Sequence, residues 1–200
     1  MIEQLILVRH GETENNIAGI VQGWSDSELS ERGLQQVARL AERLKTFEAD
    51  AIFSSPLQRA MATAQRIAGA TGLEVRTLDG LREMNYGRWE GQSFLDIRKT
   101  DELIYRRWIA DSSFACPEGE SHDDVLARIR GALDSVNGAR RPIVVAHGTA
   151  IRIAVTALLD LPLSASRSFA QDNTAVNVFL RRGGRWVMKL WNDTTHCAEG

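Results

Sequence analysis

The chain has 200 residues, of which 44% are hydrophobic and 25% are charged, the size and balance of one globular domain rather than a disordered chain. Its 24 Lys and Arg residues nearly balance 26 Asp and Glu, and a net charge of -2 gives no field that would collect nucleic acid or anionic lipid. Of the basic residues 21 are Arg, whose forked guanidinium suits phosphate and carboxylate. We therefore expect no nucleic-acid partner.

Short apolar runs bounded by turn residues predict six strands. In chain order they are Leu5–Val8, Ala51–Phe53, Val75–Leu78, Ile143–Ala146, Val176–Leu180 and Trp186–Trp191. The first and fourth runs are continuously apolar, which is typical of strands buried on both faces of a parallel sheet. We predict that the first strand is central, that the third lies at an edge, and that the last two form a hairpin.

Apolar residues spaced three and four positions apart predict helices between these strands. The helices run from Ser30 to about Phe47, from Pro56 as first helical residue through Ala68, from Ser121 through Leu133 after a near capping box with Asp124, and over Ile151–Leu159. The face that the first of them buries is predicted to be Leu34, Val37, Ala38, Ala41 and Leu44. This alternation of strands and helices predicts an α/β fold.

The region after the third strand has weaker periodicity and is rich in Trp, Tyr, Arg and acidic residues. We interpret it as a cap insertion at about 85–121 within one domain that spans 1–200. Its aromatic residues Trp89, Phe94 and Trp108 are interpreted as packing within the cap.

Signals for other cell compartments are weak in this sequence. No apolar run approaches the about 18 residues of a membrane-spanning helix, and Glu3 stands where a secretory signal carries positive charge. Cys116 and Cys197 have no partner at a metal-ligand spacing and are interpreted as small hydrophobic residues. We expect a cytoplasmic protein with no membrane partner, and we leave a homodimer open, because strand edges often pair across a two-fold axis.

Three predicted strand ends carry residues suited to an anion. The first strand leads into Arg9-His10-Gly11, the second leads to Arg59, and the fourth leads into His147-Gly148. Open α/β sheets bind ligands beyond the carboxyl ends of their strands, where helix N-termini also favour negative charge. Glycines at Gly11 and Gly148 would let the backbone approach. The sequence therefore predicts a receptor for a phosphate dianion.

The chain also contains a series of short motifs in a fixed order. They are Leu7 to Thr13 with Asn16, Gln22-Gly23-Trp24 with Asp26, Leu29 and Gly33, Ser54 to Leu57 with Arg59-Ala60 and Thr63-Ala64, Glu83 with Gly87 and Trp89-Glu90-Gly91, Pro117 to Ser121, and Val145 to Gly148. In this the chain resembles the histidine phosphatase superfamily, the phosphoglycerate mutase-like proteins. The resemblance implies a three-layer sandwich with a mostly parallel central sheet, flanking helices and a small cap.

The same resemblance implies roles for individual residues. It makes His10 the nucleophile, Arg9, Arg59 and His147 the phosphate clamp, and Glu83 the acid/base carboxylate. It also implies that Asn16, Gln22 and the Gly23 backbone lie beside the phosphate and that Tyr86 lies near the leaving group.

General chemistry supports this assignment. A neutral imidazole at His10 can hold the phosphoryl group as phosphohistidine, while Arg9, Arg59 and a protonated His147 neutralise its oxygens without a metal or another cofactor. Glu83 would protonate the leaving alkoxide, and we expect it to be ionised until the phosphate docks. Other acidic residues of the region, Glu90, Glu118 and Glu120, are the alternatives for that role, and His122 and His196 are interpreted as structural or solvated.

Three functions remain open from the sequence. The first is a metal-independent phosphomonoesterase for a small phosphorylated metabolite, similar to the broad-specificity and α-ribazole phosphatases. The second is a primer-dependent phosphoglycerate mutase; such mutases carry, by resemblance, a basic stretch after the catalytic glutamate, where this chain has Met84-Asn85-Tyr86 and a balance of -2 over residues 86–121. Arg106 and Arg107 could still grip a second anion. The third is a phosphate-binding protein without turnover.

Overall fold

The computed structural model describes residues 1–136 and 138–198. Its strands are β1 Gln4–Arg9, β2 Ala51–Ser54, β3 Val75–Thr77, β4 Pro142–Ala146, β5 Val176–Arg182 and β6 Arg185–Asp193. They form one sheet in the order β3-β2-β4-β1-β5-β6, in which β1 to β4 pair in parallel and β5 and β6 pair antiparallel. The predicted strands, the internal position of β1, the edge position of β3 and the closing hairpin are confirmed.

The helices lie between the strands and within the cap. They are α1 Glu14–Ile17, α2 Glu31–Leu44, α3 Gln58–Thr71, α4 Phe94–Thr100, α5 Glu102–Ala110, α6 His122–Ser135 and α7 Gly148–Leu158. Ser121 and Asp124 form the capping box that begins α6, as the sequence indicated. No described helix is both long enough and apolar enough to cross a membrane.

Two hydrophobic cores cover the two faces of the sheet. Successive side chains of a strand point to opposite faces, so Ile6 and Val8 pack toward α2 and α3, whereas Leu5 and Leu7 pack toward α6 and α7. Both cores contain fully buried side chains from β4. The result is the expected three-layer α/β sandwich.

Two predictions for α2 were wrong. The helix ends at Leu44 rather than near Phe47, and Leu34 is 59% exposed. Gly33 occupies the buried position instead, where an added Cβ would lie 2.0 Å from the Glu12 carbonyl oxygen. The predicted buried face was assigned from large apolar residues only. It therefore included Leu34 and left out Gly33.

The starts of two other helices also differ from the prediction. Helix α3 begins at Gln58, not Pro56, because the Gln58 N–H is bonded to the Asp26 carboxylate (2.9 Å) from a distant loop. Helix α7 begins at Gly148, three residues before the predicted Ile151.

The cap holds two short helices, α4 and α5, around an aromatic cluster. Trp89 and Trp108 are buried and meet edge to face, with ring centroids 5.4 Å apart. Their packing role is as expected. Phe94 differs, because it remains 38% exposed and lines the cavity described next.

Candidate active site

A cavity of about 240 Å³ lies at the carboxyl ends of β1, β2 and β4. Nine of the ten predicted site residues line it: Arg9, His10, Asn16, Gln22, Gly23, Arg59, Glu83, Tyr86 and Gly148. The tenth, His147, lies behind His10, with the two ring centroids 5.1 Å apart. Residues from across the chain therefore meet here because parallel strands end at the same edge of the sheet.

His10 is held as one neutral tautomer. Its Nδ1 lies 2.7 Å from the Gly11 carbonyl oxygen, which can only accept, so Nδ1 carries the proton and Nε2 carries the lone pair. Burial lowers the pKa of His10 well below its usual value, and the charges of Arg9 and Arg59 lower it further. A neutral imidazole with a free Nε2 lone pair is a competent nucleophile.

Gly11 does not have the role the sequence suggested. An added Cβ would lie 2.5 Å from Val37 Cγ2, so the missing side chain allows helix α2 to pack closely. Gly148 does border the cavity, and its N–H is the first of α7 and has no acceptor within the helix.

Two of the arginines that line the cavity, Arg9 and Arg59, were predicted from the sequence. Arg9 donates from Nη1 to the Gln171 carbonyl oxygen, and Arg59 donates to the carbonyl oxygens of Gly23 (2.6 Å) and Ser25 (2.8 Å). In both residues Nε is buried without a protein partner. Burial lowers the pKa of Arg9 to about 10 and also lowers that of Arg59. This cost of burying two like charges favours binding of an anion.

His147 departs from the expectation of a protonated clamp. It is fully buried, and burial together with the charges of Arg59, His10 and Arg9 lowers its pKa well below the usual value. Its Nε2 is bonded to Ser55 Oγ (2.7 Å), while Nδ1 has no partner. In the ligand-free site His147 is therefore neutral and supports His10 from behind.

Glu83 lies at the N-terminus of α7. Its carboxylate accepts from the backbone N–H groups of Met84 (2.9 Å), Thr149 (3.1 Å) and Ala150 (3.1 Å). All three N–H groups donate to the carboxyl oxygens. A helix N-terminus favours a negative group at this place. Glu83 is thereby fixed at the wall of the cavity that also contains Nε2 of His10.

The alternatives to Glu83 have other duties. Glu90 accepts from the N–H groups of Trp24, Ser25 and Tyr86 and so fixes the loop that carries Gly23. Glu120 pairs with Arg128 (2.7 Å), and Glu118 is exposed. None of these three lines the cavity.

The amide residues of the site are oriented by neighbours. Asn16 Oδ1 accepts from the Thr13 backbone N–H (3.2 Å) and from Asn173 Nδ2 (3.1 Å). The single hydroxyl proton of Thr13 is therefore free to be donated to Gln22 Oε1 (3.1 Å). With the oxygens engaged, both NH₂ groups are left as donors at the cavity wall.

Gly23 and Tyr86 both line the cavity. Gly23 has φ +54°, and a Cβ there would overlap the Glu90 carboxylate. The Tyr86 hydroxyl is bonded to Thr149 Oγ1 (2.7 Å), and burial raises the pKa of Tyr86.

A comparison with protein families agrees with this geometry. The model of the histidine phosphatase superfamily (branch 1) matches residues 5–194. The chain belongs to the histidine phosphatase superfamily. The expected α/β sandwich is the fold of its structural neighbours.

Relatives with curated names are similar to this chain over nearly its whole length. Phosphoserine phosphatase 1 of Hydrogenobacter thermophilus is 36% identical over 98% of this chain and 95% of its own. The probable phosphoglycerate mutase GpmB of Erwinia tasmaniensis is 35% identical over 94% of this chain and 89% of its own. A crystal structure of a phosphoserine phosphatase mutant from Entamoeba histolytica in complex with phosphoserine has a TM-score of 0.83 and 33% identity, covering 96% of this chain and 98% of its own.

Arg128 of α6 holds the loop that carries Glu83 through hydrogen bonds. The Arg128 guanidinium donates to the carbonyl oxygens of Gly80 (2.9 Å) and Glu83 (2.8 Å) and to that of Arg82. Trp24 Nε1 donates to the same Glu83 carbonyl (2.8 Å). Glu83 therefore has both its backbone and its carboxylate held in place.

The cavity residues that were missed from the sequence include Arg152 and Gln171. Arg152 lies on α7 one turn after Gly148, a spacing that could have indicated it. Gln171 lies in an irregular loop, and both its Nε2 and its Oε1 are buried without partners. No local pattern identifies Gln171, because tertiary packing alone brings its loop to Arg9.

The neutral state of His10 predicts a pH dependence of stability. The folded pKa is depressed below the ordinary 6.5, so between about pH 6.5 and pH 5 the unfolded chain binds a proton that folded His10 does not. The free energy of unfolding therefore falls as pH falls through this window, by about 1.4 kcal/mol per pH unit for this residue.

Urea unfolding at several pH values checks this. His10→Ala should lose stability less steeply than wild type between about pH 6.5 and pH 5, whereas Glu118→Gln, at an exposed glutamate, should keep the wild-type slope. Parallel slopes for wild type and His10→Ala would show that His10 titrates alike in both states.

Proposed function

We propose that this protein is a metal-independent phosphomonoesterase that hydrolyses a small phosphorylated metabolite through a phosphohistidine on His10. The observation that carries the proposal is the hydrogen bond from His10 Nδ1 to the Gly11 carbonyl, which leaves the Nε2 lone pair in a cavity lined by Arg9, Arg59 and Glu83. The phosphatase names among its relatives support the reaction class.

In the first step Nε2 of His10 forms a bond to phosphorus as the ester P–O bond breaks. Charge on the non-bridging oxygens is neutralised by Arg9 and Arg59, with the Gly148 N–H and the amide donors of Asn16 and Gln22 as further contacts. Each of these groups already lines the cavity, so little reorganisation is needed. His147, through its unpartnered Nδ1, would support the phosphoryl group once the dianion raises its pKa.

Glu83 supplies the proton for the leaving alkoxide. Its carboxyl group accepts three backbone N–H bonds, which hold it at the cavity wall in reach of the leaving oxygen. Tyr86, which is buried close by, borders the leaving-group side of the cavity.

The second step uses Glu83 in the reverse sense. A water molecule enters where the alcohol left, Glu83 removes its proton, and the water oxygen forms a bond to phosphorus as the P–Nε2 bond breaks. Inorganic phosphate leaves, and neutral His10 is regenerated.

The runner-up is phosphoryl transfer of the phosphoglycerate mutase type, which the Erwinia relative favours. Arg106 and Arg107, which the sequence offered for a second anion, do not line the cavity. Arg106 pairs with Glu102 (2.6 Å), and Arg107 stacks over Phe114 at 4.3 Å. Hydrolysis is the proposal that the phosphatase names among the relatives support.

The test measures inorganic phosphate released from a panel of phosphomonoesters with EDTA present, including 3-phosphoglycerate with its bisphosphate primer. We expect release from at least one ester and, after rapid quenching, a phosphoryl group on His10 by mass spectrometry. Isomerisation of 3-phosphoglycerate without release would favour the mutase. Neither reaction with any panel member would favour a phosphate-binding protein without turnover.

A further inference from the structure

A second cavity opens beside the phosphate-binding cavity, under the cap. It has a volume of about 180 Å³ and shares Tyr86, Phe94, Thr149 and Arg152 with its neighbour. Its volume corresponds to roughly six water molecules at about 30 Å³ each. With a phosphoryl group bound in the first cavity, the second cavity is the adjoining space for the rest of a substrate, and its volume matches a small alcohol.

The walls of the second cavity are mainly aromatic. Phe94 and Trp108 lie nearly parallel, with an interplanar angle of 19° and centroids 6.3 Å apart, and Tyr105 packs against both. These flat surfaces match a short carbon chain.

Polar groups in the same wall have no protein partner. Trp108 Nε1 and His122 Nδ1 are both buried and have no hydrogen-bond partner. The two residues are only 6% and 5% exposed. A buried polar group without a hydrogen bond costs about 1–3 kcal/mol, so such groups are rare unless a ligand or water completes them. Both side chains border the second cavity.

The charge around the second cavity is positive. Arg152 lies between the two cavities and donates to Thr149 Oγ1 (2.9 Å), and Arg167 lies at the rim, bonded to the Trp108 carbonyl oxygen (3.2 Å). Of the described residues that line this cavity none is acidic. Burial and then the charges of Arg167 and Arg152 lower the pKa of His122 to about 4.

We infer that the second cavity binds the alcohol part of the substrate and selects a small alcohol that carries a carboxylate, with Arg152 as the specificity-determining residue. This inference rests on the proposed phosphatase function and names its substrate class. The Arg152 guanidinium would bind the carboxylate, Arg167 would add charge from the rim, and the Trp108 indole N–H or neutral His122 would complete its hydrogen bonds.

The experiment compares two esters of equal size. The phosphate ester of 3-hydroxypropanoate carries a carboxylate, and that of 3-hydroxypropanamide carries a neutral amide in its place. We expect wild type to favour the carboxylate ester in kcat/KM by about tenfold or more, since one charge-assisted contact is worth about 1.5–3 kcal/mol. In Arg152→Gln the preference should fall to near one, and in Arg167→Gln it should fall by a smaller factor.

Controls separate the possible causes. Arg107→Gln, at an arginine outside both cavities, should keep the wild-type preference. A wild-type protein that releases phosphate from both esters without preference would overturn the inference alone. An equal loss for both esters in Arg152→Gln would also overturn it, because Arg152 would then serve the phosphoryl group. Absence of release from either ester and from p-nitrophenyl phosphate would count against the proposed function itself.

Discussion

Replacing His10 with alanine is expected to lower the rate of phosphate release by at least about 10³-fold, because the variant lacks the atom that receives the phosphoryl group. No other described side chain places a neutral imidazole nitrogen with a free lone pair at the cavity wall. Stopped assays of phosphate release and mass spectrometry of the quenched protein measure the effect. The variant should show no phosphorylated protein.

The control is another histidine of the same chain. His196 bonds to Arg43 (3.1 Å) and Thr174 (3.2 Å) and does not line the cavity, so His196→Ala should keep activity within a few-fold of wild type. Binding of inorganic phosphate to His10→Ala, followed by calorimetry, should persist because Arg9 and Arg59 remain. Full activity in His10→Ala would exclude it as the nucleophile.

Replacing Glu83 with glutamine should impair turnover in a way that depends on the leaving group. Loss of a general acid typically costs about 10²–10⁴-fold. We expect a loss in that range in kcat/KM for an alkyl ester such as propyl phosphate, whose alkoxide needs a proton. For p-nitrophenyl phosphate, whose phenolate leaves without one, the loss should be about tenfold or less.

The pair of esters distinguishes chemistry from structure. Glutamine also disturbs the bonds from Thr149 and Ala150, but that disturbance would slow both esters alike. Glu118→Gln, at an exposed glutamate of the cap, should behave as wild type with both. Equal losses for the two esters would assign Glu83 a structural role, and no loss with either would transfer the acid role to another group.

Periodicity was sufficient to predict most of the fold, strand-end motifs indicated Arg9, His10, Arg59, His147 and Gly148, and the family resemblance added the other candidate residues. Runs such as Leu5–Val8 are informative because burial on both faces of a parallel sheet demands continuous apolar residues. Strand ends with Arg9-His10 and His147-Gly148 are informative because neighbouring parallel strands end together. Arg9, His10, Arg59 and Gly148 line one cavity for this reason, and five of the residues implied by the resemblance line it with them.

The features that sequence could not provide depend on contacts between distant segments. The start of α3 is set by Asp26, the buried face of α2 by a glycine against Glu12, and the neutral state of His147 by its complete burial. Gln171 reaches the cavity from an irregular loop. None of these contacts has a signature in local spacing.

The division of the pocket between sheet and cap has a consequence for how this protein can diversify. The proposed nucleophile and the hydrogen-bond donors around it lie at strand ends and helix N-termini. The aromatic walls of the second cavity are formed by cap side chains such as Phe94, Tyr105 and Trp108. Mutations in those walls can therefore alter which alcohol fits without displacing any atom that touches phosphorus. Under the proposed function, such an arrangement lets new substrates be acquired through gradual change, because substitutions in the cap leave the residues around His10 in place.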